Sequence, residues 1–181
     1  DSGGYVHVPE GINEAQLRAI MELKNEKRGR IIEFAEEFGL EYFSGEKPWG
    51  VKGEVALPCA TENEIDENDA ANLLENGIRY IAEGANMPST GEAQEVFSKN
   101  GIKFGPAKAA NAGGVAVSGL EMAQNAQHST WSREEVDEKL KLIMQKIHSE
   151  ALKEGKGDYA KGANIAGFKR VAKAMRSQGI V

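Results

Sequence analysis

A chain of 181 residues, 40% hydrophobic and 28% charged, is long enough for one domain with a sizeable core and has an ordinary globular composition. The formal net charge of −6 argues against nucleic acid or an anionic membrane as a partner, and no apolar run reaches the ~20 residues a membrane span needs. The single cysteine, Cys59, excludes an internal disulfide and fits a cytoplasmic location.

Asp1-Ser2-Gly3-Gly4 reads as a loop already under way, so the natural chain is expected to extend upstream. Asn13 caps a helix running to about Lys27, with Leu17, Ile20 and Met21 facing inward. A second helix, Arg30 to Phe38, stops at Gly39, and Leu40 to Pro48 reads as irregular. Glu54 to Leu57 is the first clear strand, and Asp66 with Asp69 opens a helix to about Asn76. Strand Ile78 to Ala82 follows, then a helix begun by Ser89-Thr90 with Glu92 in its first turn. Strand Ile102 to Phe104 leads through a glycine-rich turn into a helix from about Val115 to Ala126. This alternation with short connections predicts part of a doubly wound, Rossmann-like α/β domain with a parallel sheet, followed by helices. Ser132 and Glu135 form a capping box ahead of a stripe of Val136, Leu140, Ile143, Ile147 and Ala151. Gly155 to Asp158 breaks that helix, and Ile165, Phe168, Ala172 and Met175 stripe a last one that stops at Gly179. Residues 1–130 thus read as a partial dinucleotide-binding domain lacking any G-x-G-x-x-G, and 131–181 as C-terminal helices.

All three strands stop abruptly at small and amide residues: Pro58 to Asn63, Glu83 to Pro88, and Gly105 to Gly114. In a parallel sheet, ligands sit just beyond the carboxyl ends of the strands. Small residues there admit a flat ligand, and Thr61, Asn86 and Asn111 can hydrogen-bond it. Either asparagine alone is explained as well by a turn bonding its own loop, but the pair favours a carboxamide ligand such as nicotinamide. Gly113 and Gly114 ahead of a helix leave backbone N–H groups open to an anion, and Ser118 follows within the first turn or so. Close helix packing, with Ser118 bonded to its own backbone, explains that stretch slightly better on spacing alone. Lys24, Lys27, Arg28 and Arg30 either complement a helix C-terminus or, with Asp1 and Ser2 folded nearby, hold a phosphate; the two readings are even. His7, His128 and His148 lack ligand spacing, so no metal site is expected. Cys59 reads as a small buried thiol, and Trp49 and Trp131 as packing anchors.

These motifs resemble a known family. Pro58-Cys59-Ala60-Thr61-Glu62-Asn63-Glu64, Glu83-Gly84-Ala85-Asn86-Met87-Pro88, Lys108-Ala109-Ala110-Asn111-Ala112-Gly113-Gly114-Val115, Ser118-Gly119-Leu120-Glu121-Met122-Ala123-Gln124-Asn125 and Gly162-Ala163-Asn164-Ile165-Ala166-Gly167-Phe168 look like the C-terminal half of a hexameric glutamate dehydrogenase. Five blocks stand in family order and spacing over essentially the whole chain, and Met21 to Lys24 and Lys47-Pro48-Trp49 agree. The resemblance implies interconversion of L-glutamate with 2-oxoglutarate and ammonia by hydride transfer to a nicotinamide cofactor, in a homo-hexamer. It places Ala60 and Thr61 at the cofactor, Asn86 by the nicotinamide ribose and Asn111 near the nicotinamide. Gly114 and Val115 shape the site, and Ser118 holds the far carboxylate of the substrate. Asp1 and Ser2 match the strand end that meets the adenosine ribose. Ser2 with Lys24 nearby looks like the NADP-preferring branch, since a 2′-phosphate wants a hydroxyl and a cation; NAD is the alternative. Glu62 stands where many relatives carry glutamine.

By the same resemblance, the catalytic lysine and aspartate, the glycine-rich pyrophosphate loop and most of the assembly surface belong to an upstream half. These 181 residues alone are therefore expected to be inactive, with no catalytic residue among them, and the last helices are expected to pack toward the upstream substrate domain. Two other readings stand beside this one: a stand-alone nucleotide-binding module, and a related dehydrogenase of branched-chain or aromatic amino acids.

Overall fold

The computed structural model describes residues 1–179; Ile180 and Val181, the end of the expected 131–181 segment, lie outside the described residues. The chain divides into two compact units, Asp1–Val51 and a second from Lys52 onward.

In the first unit, strand β1 (Gly4–Val6) pairs antiparallel with β2 (Tyr42–Ser44), which corrects the reading of Leu40 to Pro48 as irregular. The pair is driven by cross-strand packing: Tyr5 faces Phe43, and their rings stack at 4.6 Å. Helix α1 (Glu14–Glu22) begins at Asn13 in a reciprocal capping box with Gln16. At Leu23–Lys27 the winding loosens to a π-helical turn that ends at left-handed Arg28. That change of winding turns Leu23 into the core, whereas Leu17 and Met21, expected inward, are exposed. Helix α2 (Ile31–Phe38) buries Phe34 and Ala35 and ends at Gly39 with φ 62°, a left-handed cap that glycine takes without penalty. Trp49 lies in a 3-10 turn (Pro48–Gly50) and is buried as expected.

In the second unit three short parallel strands, β3 (Val55–Ala56), β4 (Tyr80–Ala82) and β5 (Lys103–Gly105), stand side by side in chain order. Their connections are α3 (Glu67–Glu75), capped by Asp66 and Asp69, and α4 (Gly91–Lys99), capped by Thr90. The two helices pack on each other and bury Ala70, Leu73, Ala93 and Phe97. The α/β parallel architecture is therefore the expected one, with the first two strands shorter than read and the third shifted on by one residue. Beyond β5, α5 (Ala107–Ala110) and α6 (Ala112–Ala126) are separated by Asn111. The glycine-rich turn read ahead of α6 is helical instead, because Pro106 already sets the backbone for α5 and Gly113 packs toward Leu140.

Helix α7 (Arg133–Gly155) starts at the Ser132–Glu135 capping box and carries its expected inward stripe, with Ala151 buried. Lys156 and Gly157 reverse the chain with positive φ, and α8 (Tyr159–Gln178) returns along α7. The two helices close in at facing glycines: a Cβ on Gly162 would fall on the Ala151 carbonyl oxygen and 2.8 Å from Gly155 Cα. Lys169 Nζ reaches Glu154 at 2.5 Å and holds that carboxyl below its usual range. The tie is present above the ordinary glutamate pKa and weakens as acid protonates Glu154; being exposed, it is a minor one. Phe168 and Met175, expected in an apolar stripe, are exposed, because α8 presents only the face with Ala151-facing Gly162, Ile165 and Ala172 to its neighbours. No helix among the described residues is long and apolar enough to cross a membrane.

Gly162→Ala is expected to destabilise the protein by about 1–3 kcal/mol, since backbone rather than a movable side chain occupies the new methyl's place. Denaturant unfolding of the variant would check this, and an unchanged midpoint would contradict the close crossing.

Candidate functional site

The parallel ladder runs out at Ala56, Ala82 and Gly105, and the loops that follow lie together. Asn63 N–H donates to the Met87 carbonyl and Gly84 N–H to that of Pro58, both at 2.9 Å, so the first two strand-end loops are laced to each other. Asn63 and Met87 take positive φ (54° and 49°), a conformation unusual for a side chain of methionine's size. Ala60, Thr61, Glu62, Gly84, Ala85 and Asn86 line an open groove of about 510 Å³. A Cβ on Gly84 would lie 2.5 Å from Cys59 Sγ, so the small residue here is needed for the loops to meet. The thiol itself is exposed, not buried as expected: Pro58 takes the interior position, and Cys59 leans over Gly84 from the surface.

The third loop joins through Asn111. Its Nδ2 donates to Asn86 Oδ1 at 2.9 Å and to the Ala85 carbonyl at 3.0 Å. The convergence of the two amides, expected from their places after successive strands, is thus a direct contact, reached through α5 and not straight from the strand. The Asn86 NH2 and the Asn111 side-chain oxygen take no part in that contact.

On α6, Gly114 and Val115 lie in the first turn and Ser118 in the second, later than expected because the helix starts at Ala112. Val115 and Ser118, three residues apart, share one face, and Val115 is 81% exposed. Ser118 Oγ donates to the Gly114 carbonyl at 3.2 Å. A Cβ on Gly114 would meet open space, so that glycine is not required by packing.

In the first unit, Asp1 and Ser2 fold beside two members of the basic cluster, Lys24 and Arg30. Lys24 Nζ bonds Asp1 Oδ2 at 2.5 Å and the Gly29 carbonyl at 3.0 Å; Asp1 Oδ2 also accepts from Ile31 N–H at 2.9 Å. Arg30 donates from its guanidinium to Ser2 Oγ at 2.7 Å. The π-helical turn aims Lys24 here, while Lys27 pairs away with Glu22 at 2.9 Å. Hydroxyl, ammonium and guanidinium form a donor set suited to a phosphate.

One residue of the site was not singled out from the sequence: Glu83, a buried carboxylate bonded to Ser89 N–H and Ala107 N–H. Its only signal was a charge placed directly after the apolar strand and before Gly84. Among the described residues no three histidine, cysteine or carboxylate side chains cluster as metal ligands would.

A parallel sheet with helices between its strands and amides that meet beyond the strand ends defines an α/β domain. The Glutamate/Leucine/Phenylalanine/Valine dehydrogenase family profile matches residues 1–179, and the chain belongs to that family. It is 55% identical over 186 aligned residues to the glutamate dehydrogenase of Bacteroides thetaiotaomicron, covering 100% of this chain and 42% of the relative. It is 51% identical to the NADP-specific glutamate dehydrogenase of Haemophilus influenzae, covering 99% of this chain and 41% of that protein. The crystal structure of Plasmodium falciparum glutamate dehydrogenase superposes with a TM-score of 0.92 at 49% identity, over 100% of this chain and 40% of that one. The chain therefore spans about two fifths of the length of these relatives.

Gly84→Ala is expected to push the Cys59 side chain outward and raise its rate of alkylation about twofold or more, since thiol reactivity follows access. Site-resolved labelling by mass spectrometry reads this; an unchanged rate would contradict the Cys59–Gly84 approach.

Proposed function

We propose that this chain is the cofactor-binding portion of an NADP-dependent glutamate dehydrogenase that interconverts L-glutamate with 2-oxoglutarate and ammonia. The carrying observation is the Asn86–Asn111 contact beyond the strand ends, which sets two amides side by side, each with donor and acceptor capacity for the nicotinamide half of a cofactor. When bound, the nicotinamide ring supplies the chemistry by accepting or returning a hydride. The chain's residues hold and orient it. Asn86 bonds the nicotinamide ribose, Asn111 the carboxamide, and Ala60 and Thr61 border the groove. In the first unit Asp1 takes the adenosine ribose, while Ser2 and Lys24, with Arg30 beside them, take a 2′-phosphate.

On α6, Gly114 and Val115 shape the substrate's surroundings. Ser118 exchanges its weak bond to the Gly114 carbonyl for one to the far carboxylate of glutamate. The catalytic lysine and aspartate come from the rest of the protein, so these 181 residues alone are inactive. Residues 1–130 form the partial cofactor domain, and the 131–181 helices pack toward the substrate domain. Exposed Phe168, Val171 and Met175 on α8 support that last placement, as apolar side chains await a covering surface. The intact protein works as a cytoplasmic homo-hexamer.

In the intact enzyme, Lys24→Ala is expected to weaken NADPH about ten- to a hundredfold and NADH far less, the range of a lost charge-assisted bond. Steady-state kinetics with both coenzymes check this, and equal losses would contradict the 2′-phosphate role. Ser118→Ala is expected to raise the glutamate KM about tenfold or more. Unchanged kinetics would sink the carboxylate contact.

A further inference from the structure

Glu83 is a charged residue only 2% exposed, and the cofactor reading gives it no task. Its two oxygens accept from backbone N–H groups far apart in the chain: Oε1 from Ser89 at 3.2 Å and Oε2 from Ala107 at 2.7 Å. Ser89 closes the Gly84–Pro88 loop that carries Asn86. Ala107 opens α5, and Asn111 follows directly on its last residue. Asn111 then donates back to Ala85 O and Asn86 Oδ1. The bonds close a ring: Glu83 to Ala107, along α5 to Asn111, across to Asn86, and back through the loop to Glu83.

The backbone ladder cannot do this work. Its last register pair is Ala82 with Gly105, and the final backbone bond between the two strands runs from Glu83 N–H to the Gly105 carbonyl at 3.0 Å. Past that point the Glu83 side chain fixes where both loops begin.

We infer that Glu83 is a positioning residue whose carboxylate, by holding Ser89 N–H and Ala107 N–H at once, sets the Asn86–Asn111 contact that receives the nicotinamide half of the cofactor. This rests on the cofactor reading above. A carboxylate is needed because both bonded groups are donors. The isosteric glutamine accepts one N–H and turns its own NH2 against the other, leaving a buried donor unpaired.

The test uses the intact protein containing this chain, with two probes: NADPH, and 2′,5′-ADP, which has the adenosine and 2′-phosphate but no nicotinamide. Glu83→Gln is expected to weaken NADPH about tenfold and leave 2′,5′-ADP at wild-type affinity. Ala107→Pro provides an independent variant should Glu83→Gln fold poorly. It deletes only the donor, at a helix-opening position that accepts proline and behind an extended Pro106 (ψ 152°). It is expected to give the same NADPH-selective loss. In an Asn111→Ala background, Glu83→Gln should cost less than about twofold further, because both substitutions break one ring.

Unchanged NADPH affinity in both variants would overturn the inference. So would equal losses for both probes, which mark general damage, or fully additive losses with Asn111→Ala. A wild-type protein that binds no NADPH removes the cofactor reading and this inference with it, whereas wild-type binding that the variants leave intact removes Glu83's role alone.

Discussion

The parallel sheet of the second unit is only two or three residues deep, so its ladder ends at Ala82 and Gly105, short of Asn86 and Asn111. Past that ladder the second loop and α5 are tied by side chains that bond backbone across them. The Glu83 carboxylate ties the second loop to α5, and the Asn111 amide ties α5 back to the second loop. The first loop joins by main-chain bonds that require Gly84 to pass under Cys59. A buried carboxylate is costly unless its oxygens are satisfied, and here two N–H groups bond it. That arrangement resists substitution by an apolar residue, which would strand a buried and a half-buried donor at once.

The alternation of strands and helices was legible because each strand ends at a residue type with a local cause. Asp66, Thr90 and Ser132 cap their helices as the cap patterns require, and the periodic residues of α7 face inward. What was not legible depended on partners distant in the chain. Tyr42 to Ser44 carries too short a pattern to declare a strand, and becomes one only because Tyr5 stacks on Phe43. Gly113 and Gly114 read as a turn, yet α6 runs through them and packs on α7, a distant partner that overrides their weak helix propensity. The π-helical turn at Leu23, which decides that Leu23 and not Met21 is buried, leaves no mark in the periodicity.

The candidate site divides in the same way. Asn86 and Asn111 were visible because amides after consecutive parallel strands have few places to go, and they meet at 2.9 Å. Ser2 and Lys24 meet Arg30 and Asp1, an arrangement that the basic cluster and the opening loop left as one of two even readings. Glu83 stayed hidden because its donors, Ser89 and Ala107, are backbone groups whose identity no residue type announces. Family membership gives these contacts a context, and the chain spans about two fifths of the length of the relatives it matches.

The most direct test of the account is to follow NADPH and then NADH oxidation by the intact protein with 2-oxoglutarate and ammonium. The account predicts that NADPH is consumed in step with glutamate formation and faster than NADH. No oxidation of either coenzyme, or turnover only with branched-chain or aromatic 2-oxo acids, would contradict it.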